Sequence, residues 1–141
     1  MLYIDELNFQ RQIDLLAFIA SQSTLSLCVW LYPESKVLTV ADQEVSKINK
    51  VIQPVTEYDD GFLPQHTELS ICTYALLNSL LLSKMDVVKN CDSIALYKEN
   101  ESQWEVATIG HEGMCLVRDI TLLSLLKNAG FSVSLKPPSW W

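Results

Sequence analysis

Hydrophobic residues change period within the first third of this chain, and that change fixes the class of fold it can adopt. Phe9, Ile13, Leu16, Ala17 and Ala20 recur at helical spacing, which predicts one apolar face of a helix over residues 8–21. Directly after it, Leu25, Leu27, Val29 and Leu31 alternate with Ser26, Cys28, Trp30 and Tyr32, the pattern of a strand with an aliphatic side and a polar or aromatic side. Periods of 3.6 and 2 in immediate succession predict an α+β fold, with helices packed on a mainly antiparallel sheet.

The same reading extends along the chain. Pro33-Glu34-Ser35 ends the first strand, and residues 37–40 suit the second strand of a hairpin. Asp42 is placed to cap a helix whose Val45, Ile48 and Ile52 form an apolar face before Pro54 stops it. Residues 55–65 lack periodicity, lie between Pro54 and Pro64, and read as a surface loop. From Thr67, Leu69, Cys72, Thr73, Leu76, Leu77 and Leu80 predict a buried helix to about Met85, although residues 71–74 also have strand-forming character.

Two strands, residues 94–98 and 104–109, are expected to form a hairpin through the polar loop 99–102, and Gly110-His111-Glu112-Gly113 supplies a turn into a short strand at 114–117. Asp119 caps a helix through Ala129, where Gly130 and Phe131 provide a left-handed residue and the apolar residue after it. Residues 131–135 alternate as a last strand, and Pro137-Pro138 imposes an extended exit toward Trp140-Trp141. Neither an internal repeat nor a low-complexity linker interrupts the pattern, so residues 1–141 are read as one domain.

A chain of 141 residues buries roughly two thirds of its unfolded surface, enough to fold without covalent staples. Its 49% hydrophobic and 19% charged residues are globular composition. Cys28, Cys72, Cys91 and Cys115 are scattered without a C-x-x-C pair, as expected of core thiols in a reducing compartment. The opening Met1-Leu2-Tyr3-Ile4-Asp5-Glu6 has neither a basic region nor an apolar one, and the uncharged run 69–83 is too short and polar for a bilayer. A cytoplasmic location is therefore expected.

Charge is distributed unevenly. Residues 51–83 contain no Lys or Arg but carry Glu57, Asp59, Asp60 and Glu68, and residues 99–117 repeat the pattern with Glu99, Glu101, Glu105 and Glu112, within a net charge of −7. Such a field repels nucleic acid and anionic membranes and attracts basic partners. Around the first run, Tyr58 and Phe62 stand beside the carboxylates, and an aromatic anchor with a carboxylate neighbour is the chemistry of interface hot spots. Glu57, Tyr58, Asp59, Asp60, Phe62 and Glu68 are accordingly the candidate partner-binding residues.

Motifs for chemistry are missing. The four glycines build neither phosphate-binding loop, and G-x-S-x-G and H-E-x-x-H do not occur. The acidic run before Gly61 lacks the alternating frame and closing Glu of a calcium loop, so no metal or cofactor is expected. His111 and Cys115 are four apart, but two glycines flank the histidine and argue for a turn rather than a shared helix face. Carboxylates, aromatic anchors and no catalytic motif lead to the expectation of a non-enzymatic acidic protein that neutralises a basic partner, most concretely an immunity protein inhibiting a bacterial nuclease toxin. The alternatives are a small acidic secretion chaperone and a small enzyme using His111, Cys115 and Glu112. A nucleic-acid mimic would also carry such charge, given carboxylates spaced like phosphates.

Overall fold

The computed structural model describes residues 1–31, 53, 55, 70–71 and 91–141. A strand absent from the sequence reading comes first: β1 (Leu2–Asp5), with Leu2 and Ile4 buried. The helix expected next is α1 (Phe9–Ala20). Asn8 starts it, its side-chain oxygen accepting from the amides of Gln10 at 2.9 Å and Arg11 at 3.4 Å. Phe9, Ile13 and Leu16 are buried as expected; Gln12, Leu15 and Ile19 join them, whereas Ala17 and Ala20 are only half-buried.

Strands β2 (Leu25–Leu31), β3 (Ser70–Ile71), β4 (Cys91–Lys98), β5 (Trp104–Ile109), β6 (Met114–Val117) and β7 (Val133–Ser134) complete a sheet with β1. Its order is β3-β2-β4-β5-β6-β1-β7, and every neighbouring pair is antiparallel. The predicted hairpin is β4–β5, and β6 follows through the predicted glycine-flanked turn. Ser70 and Ile71 pair with Leu27 and Ser26, so the helix expected from Thr67 does not run through them; the strand-forming residues there prevail. The strand at 37–40, the helix at 42–52, the loop at 55–65 apart from Val55, and the rest of the 67–85 helix lie outside the described residues.

The sheet is buried on both faces. Leu25, Leu27, Ile94, Leu96, Val106, Cys115, Val117, Leu2 and Ile4 form one face, beneath α1. Cys28, Trp30, Ala95, Tyr97, Trp104, Ala107, Ile109, Met114 and Leu116 form the other, with Tyr3 and Val55 packed against them. Each large aliphatic taken from water contributes about 1.5–3 kcal/mol before the entropy of ordering it. Two-sided burial explains why β5 and β6 are buried at every position.

Two bulges punctuate the described strands. Opposite β2, Leu31 pairs with Cys91 and Trp30 with Ser93, leaving Asp92 as the extra residue. Opposite β4, Tyr97 pairs with Trp104 and Leu96 with Val106, leaving Glu105 as the extra residue. In each case an acidic residue occupies the inserted position, where a bulge re-aims a side chain without inverting the rest of the strand.

After β6, the Asp119 carboxylate accepts the Thr121 amide at 2.8 Å and the Thr121 hydroxyl at 2.6 Å. These bonds hold its carboxyl below the usual carboxylate range. The first turn, Ile120–Leu122, is a 3-10 helix that continues as α2 (Leu123–Asn128). Gly130 then adopts φ +86°, its amide donates to the Lys127 carbonyl, and the Phe131 amide donates to the Leu126 carbonyl, both at 3.0 Å. That pair of bonds is the Schellman termination expected from Gly130-Phe131.

Candidate functional site

A cleft of about 440 Å³ opens where the start of α1 meets the bulged start of β4. Asn8, Phe9 and Gln12 line it from the helix, Cys91 to Ile94 from β4, Thr108 from β5, and Gly110 and His111 from the turn that follows. Local backbone geometry brings these together. Glu6 donates its amide to the Gly113 carbonyl at 2.7 Å, tying the β1–α1 link to the β5–β6 turn. Gly113 has φ +64°, and a Cβ there would meet Leu7, so only glycine permits this approach without displacement. Across the turn, Gly110 donates its amide to the Asp92 carbonyl at 3.2 Å.

The polar groups form a chain. His111 places Nδ1 3.1 Å from Asp92 Oδ1 and Nε2 3.7 Å from Glu112 Oε1. Glu112 Oε2 accepts the Trp141 indole N–H at 2.5 Å, and the Trp141 ring meets Tyr3 edge-on, with centroids 5.5 Å apart. One of the terminal indoles thus folds back onto the sheet, while Trp140 remains 55% exposed. Asp92 itself is largely buried, with its side chain 9% exposed against 46% for His111.

Two buried polar groups, Gln12 on α1 and Ser93 on the face of β4 shared with Trp30 and Ile109, are less fully paired. Gln12 donates through Nε2 to the Glu6 carbonyl at 2.7 Å, but its Oε1 has no hydrogen-bond partner among the described residues, nor does the Ser93 hydroxyl. Both residues are buried, and buried amide or hydroxyl oxygens without partners carry a desolvation cost. Cys91, beside them, is a poor nucleophile: burial first, and the neighbouring Asp92 charge second, push its thiol up to about 12.

A second polar cluster lies at the other end of β4, beside the β4–β5 loop. Arg118 stacks its guanidinium 4.1 Å from the Trp104 ring centroid and reaches Gln53 Oε1 at 3.4 Å. Glu105, from the second bulge, pairs with Lys98 Nζ at 3.0 Å, a hydrogen bond that raises the lysine above its ordinary value. The Lys98–Glu105 pair joins β4 to β5, and Arg118 ties the end of β6 to Gln53.

Of the residues singled out from sequence, Glu57, Tyr58, Asp59, Asp60, Phe62 and Glu68 lie outside the described residues. His111 and Glu112 do meet. Cys115 sits within β6, fully buried in the core beneath α1, and burial raises its thiol far above the ordinary value. It is a protonated core thiol, in keeping with the turn at His111. Among the described residues no group of three His, Cys, Asp or Glu side chains could hold a metal ion, and no helix is long and apolar enough to cross a membrane. Sequence reasoning missed Asp92, Ser93 and Gln12. Asp92 fell just before the recognisable strand, and no spacing connects residue 12 to residues 92 and 93.

No protein-family model matches this chain, and comparison with curated proteins and with solved structures yields no match.

Proposed function

We propose that this protein is a non-enzymatic, acidic binding protein that neutralises a basic protein partner, most concretely an immunity protein that inhibits a bacterial nuclease toxin. The supporting observation is a carboxylate joined to an exposed indole: Glu112 accepts the Trp141 N–H, and Trp140 beside it is 55% exposed on a chain of net charge −7. Aromatic area with an adjacent carboxylate suits a partner rich in Lys and Arg, and a nuclease presents such residues wherever it holds phosphate. Glu99 and Glu101, both exposed in the β4–β5 turn, extend the negative field. Glu57, Tyr58, Asp59, Asp60, Phe62 and Glu68 are assigned to the partner contact on their sequence.

The test uses this chain as bait at low and high salt, followed by assay of the captured protein with and without added pure chain. A basic protein retained at low salt, released by salt, and inhibited in its nuclease activity at about one-to-one stoichiometry is the expected result, since exposed charges are screened beyond about 10 Å at 0.1 M salt. Retention with no change in activity would discard the inhibitor reading. Unchanged affinity after charge reversal of Glu57, Asp59 and Asp60 would remove those residues from the interface.

A further inference from the structure

We propose that His111 is a pH-responsive latch for the segment around Trp141: with both ring nitrogens protonated it holds Glu112 where that carboxylate grips the Trp141 indole, and on losing a proton it loosens that grip. The latch concerns this chain alone and does not depend on any partner. Both imidazole nitrogens face a carboxylate oxygen, Nδ1 at 3.1 Å from Asp92 Oδ1 and Nε2 at 3.7 Å from Glu112 Oε1. A neutral imidazole has one N–H and one lone pair, so it serves one of these carboxylates and turns a lone pair toward the other; an imidazolium donates to both. The shorter contact has hydrogen-bond length and keeps its proton on Nδ1, so the proton that leaves is the one facing Glu112.

Glu112 uses its two oxygens separately, Oε1 toward His111 and Oε2 toward the Trp141 N–H, so the imidazolium orients the carboxylate without competing for the indole. The turn keeps the two side chains in register: the amides of Glu112 and Gly113 donate to the carbonyls of Ile109 and Gly110 at 3.2 and 3.3 Å. Trp141 has little else to hold it. Its ring meets Tyr3 edge-on, its amide donates to the Pro138 carbonyl at 3.1 Å, and it remains 43% exposed. Among the described residues, the other ionisable groups nearby leave the imidazole to these two carboxylates. Glu6, on the β1–α1 link, turns to Arg11 and to the Asn8 amide. The Cys91 thiol, pushed up to about 12, stays protonated wherever histidine titrates. Phe9 and Gln12, which face the cleft from α1, carry no charge. Asp92 has a further interaction of its own, and the latch requires only its contact with Nδ1.

The test is an NMR titration of the full chain from about pH 5.5 to about pH 8.5, where histidine changes charge and ordinary carboxylates stay ionised. It follows the Trp141 indole proton, the His111 ring protons and the nuclear Overhauser contacts between the Trp141 and Tyr3 rings. Rising pH should move the indole proton upfield and weaken the ring contacts, both at the midpoint that the His111 protons themselves report. The ratio of docked to released Trp141 should fall about two- to five-fold, the effect of one partly exposed ion pair. In His111→Ala and in Glu112→Gln the step should vanish. The first substitution also separates His111 from His66, the second histidine of the sequence, which lies outside the described residues. An indole proton that does not respond, a step at another midpoint, an upfield shift with undiminished ring contacts, tighter docking at high pH, or a step that persists in His111→Ala would overturn the latch. Should either substitution disturb folding, the midpoints and ring contacts of the unaltered chain still decide.

Discussion

Trp30 donates its indole N–H to the Tyr97 hydroxyl at 3.2 Å, joining β2 to β4 within the face of the sheet turned away from α1. The hydroxyl donates onward to the Gln53 carbonyl at 2.8 Å. Gln53 in turn donates its amide to the Ser102 carbonyl at 2.7 Å, so one phenol links two strands, residue 53 and the β4–β5 loop. Tyr97→Phe should preserve the packing and leave the indole N–H and the carbonyl short of a partner. A loss of about 1–3 kcal/mol is expected, read from urea unfolding with tryptophan fluorescence. In the Trp30→Phe background the same substitution should cost less, because the buried donor is already gone.

Arg11 joins the two described helices. Its Nη2 donates to the Gly130 carbonyl at 2.8 Å, its guanidinium lies 4.5 Å from the Phe131 ring centroid, and its Nε is 3.7 Å from Glu6 Oε2. Arg11→Met keeps much of the aliphatic stem and removes the donors, so a loss of about 1 kcal/mol is expected. Arg11→Lys should recover only part of it, since an ammonium lacks the planar fork that reaches carbonyl and ring together. Thermal unfolding of the three proteins at one pH gives the comparison.

Gly113 and Gly110 bracket the same turn yet predict different outcomes. A side chain at Gly113 would have to hold φ +64° and displace Leu7, which implies a loss of about 1–2 kcal/mol in Gly113→Ala from the left-handed backbone alone. Nothing lies within 4 Å of a Cβ at Gly110, so Gly110→Ala should be neutral or slightly stabilising. Equal losses in the two variants would refute the close packing of the β1–α1 link on this turn.

Alkaline pH should loosen the protein through its buried thiols. Cys91 is pushed up to about 12 from an ordinary 9.0, and Cys115 is raised further, so the folded state holds protons that the unfolded chain releases earlier. Stability from this source is therefore complete below about pH 9 and declines as pH rises from there toward about 12. The thermal midpoint should fall between pH 8 and pH 10.5, and the fall should be smaller in Cys115→Ala. Both thiols should resist alkylation in the folded protein at pH 8 and react once it is unfolded in urea.

Legibility in the sequence followed how local each determinant was. Phe9 to Ala20, Leu25 to Leu31 and the Gly130-Phe131 ending carry their signals within a few residues, and the structure repeats them closely. The first strand did not announce itself because its four residues are too few to establish alternation, and it is defined by pairing with β6 and β7. Ser70 and Ile71 show a tertiary partner overriding local spacing. The cleft was least visible: Gln12, Asp92 and His111 meet through two strand connections and a bulge, none of which has a spacing rule. His111 and Glu112 were visible only as neighbours in a turn, without the carboxylate that holds the imidazole.

The position of β1 also bears on the protein's synthesis. Leu2 lies opposite Val117, and Tyr3 lies opposite Ser134 on its other side, so β1 is made well before either of its hydrogen-bonding neighbours. At the usual ~5–20 residues per second, Leu2 and Ile4 wait on the order of ten seconds, with their apolar side chains exposed, for β6 to be made. Until then nascent β1 is a natural client for chaperones, and its edges are satisfied only when it slots in between β6 and β7.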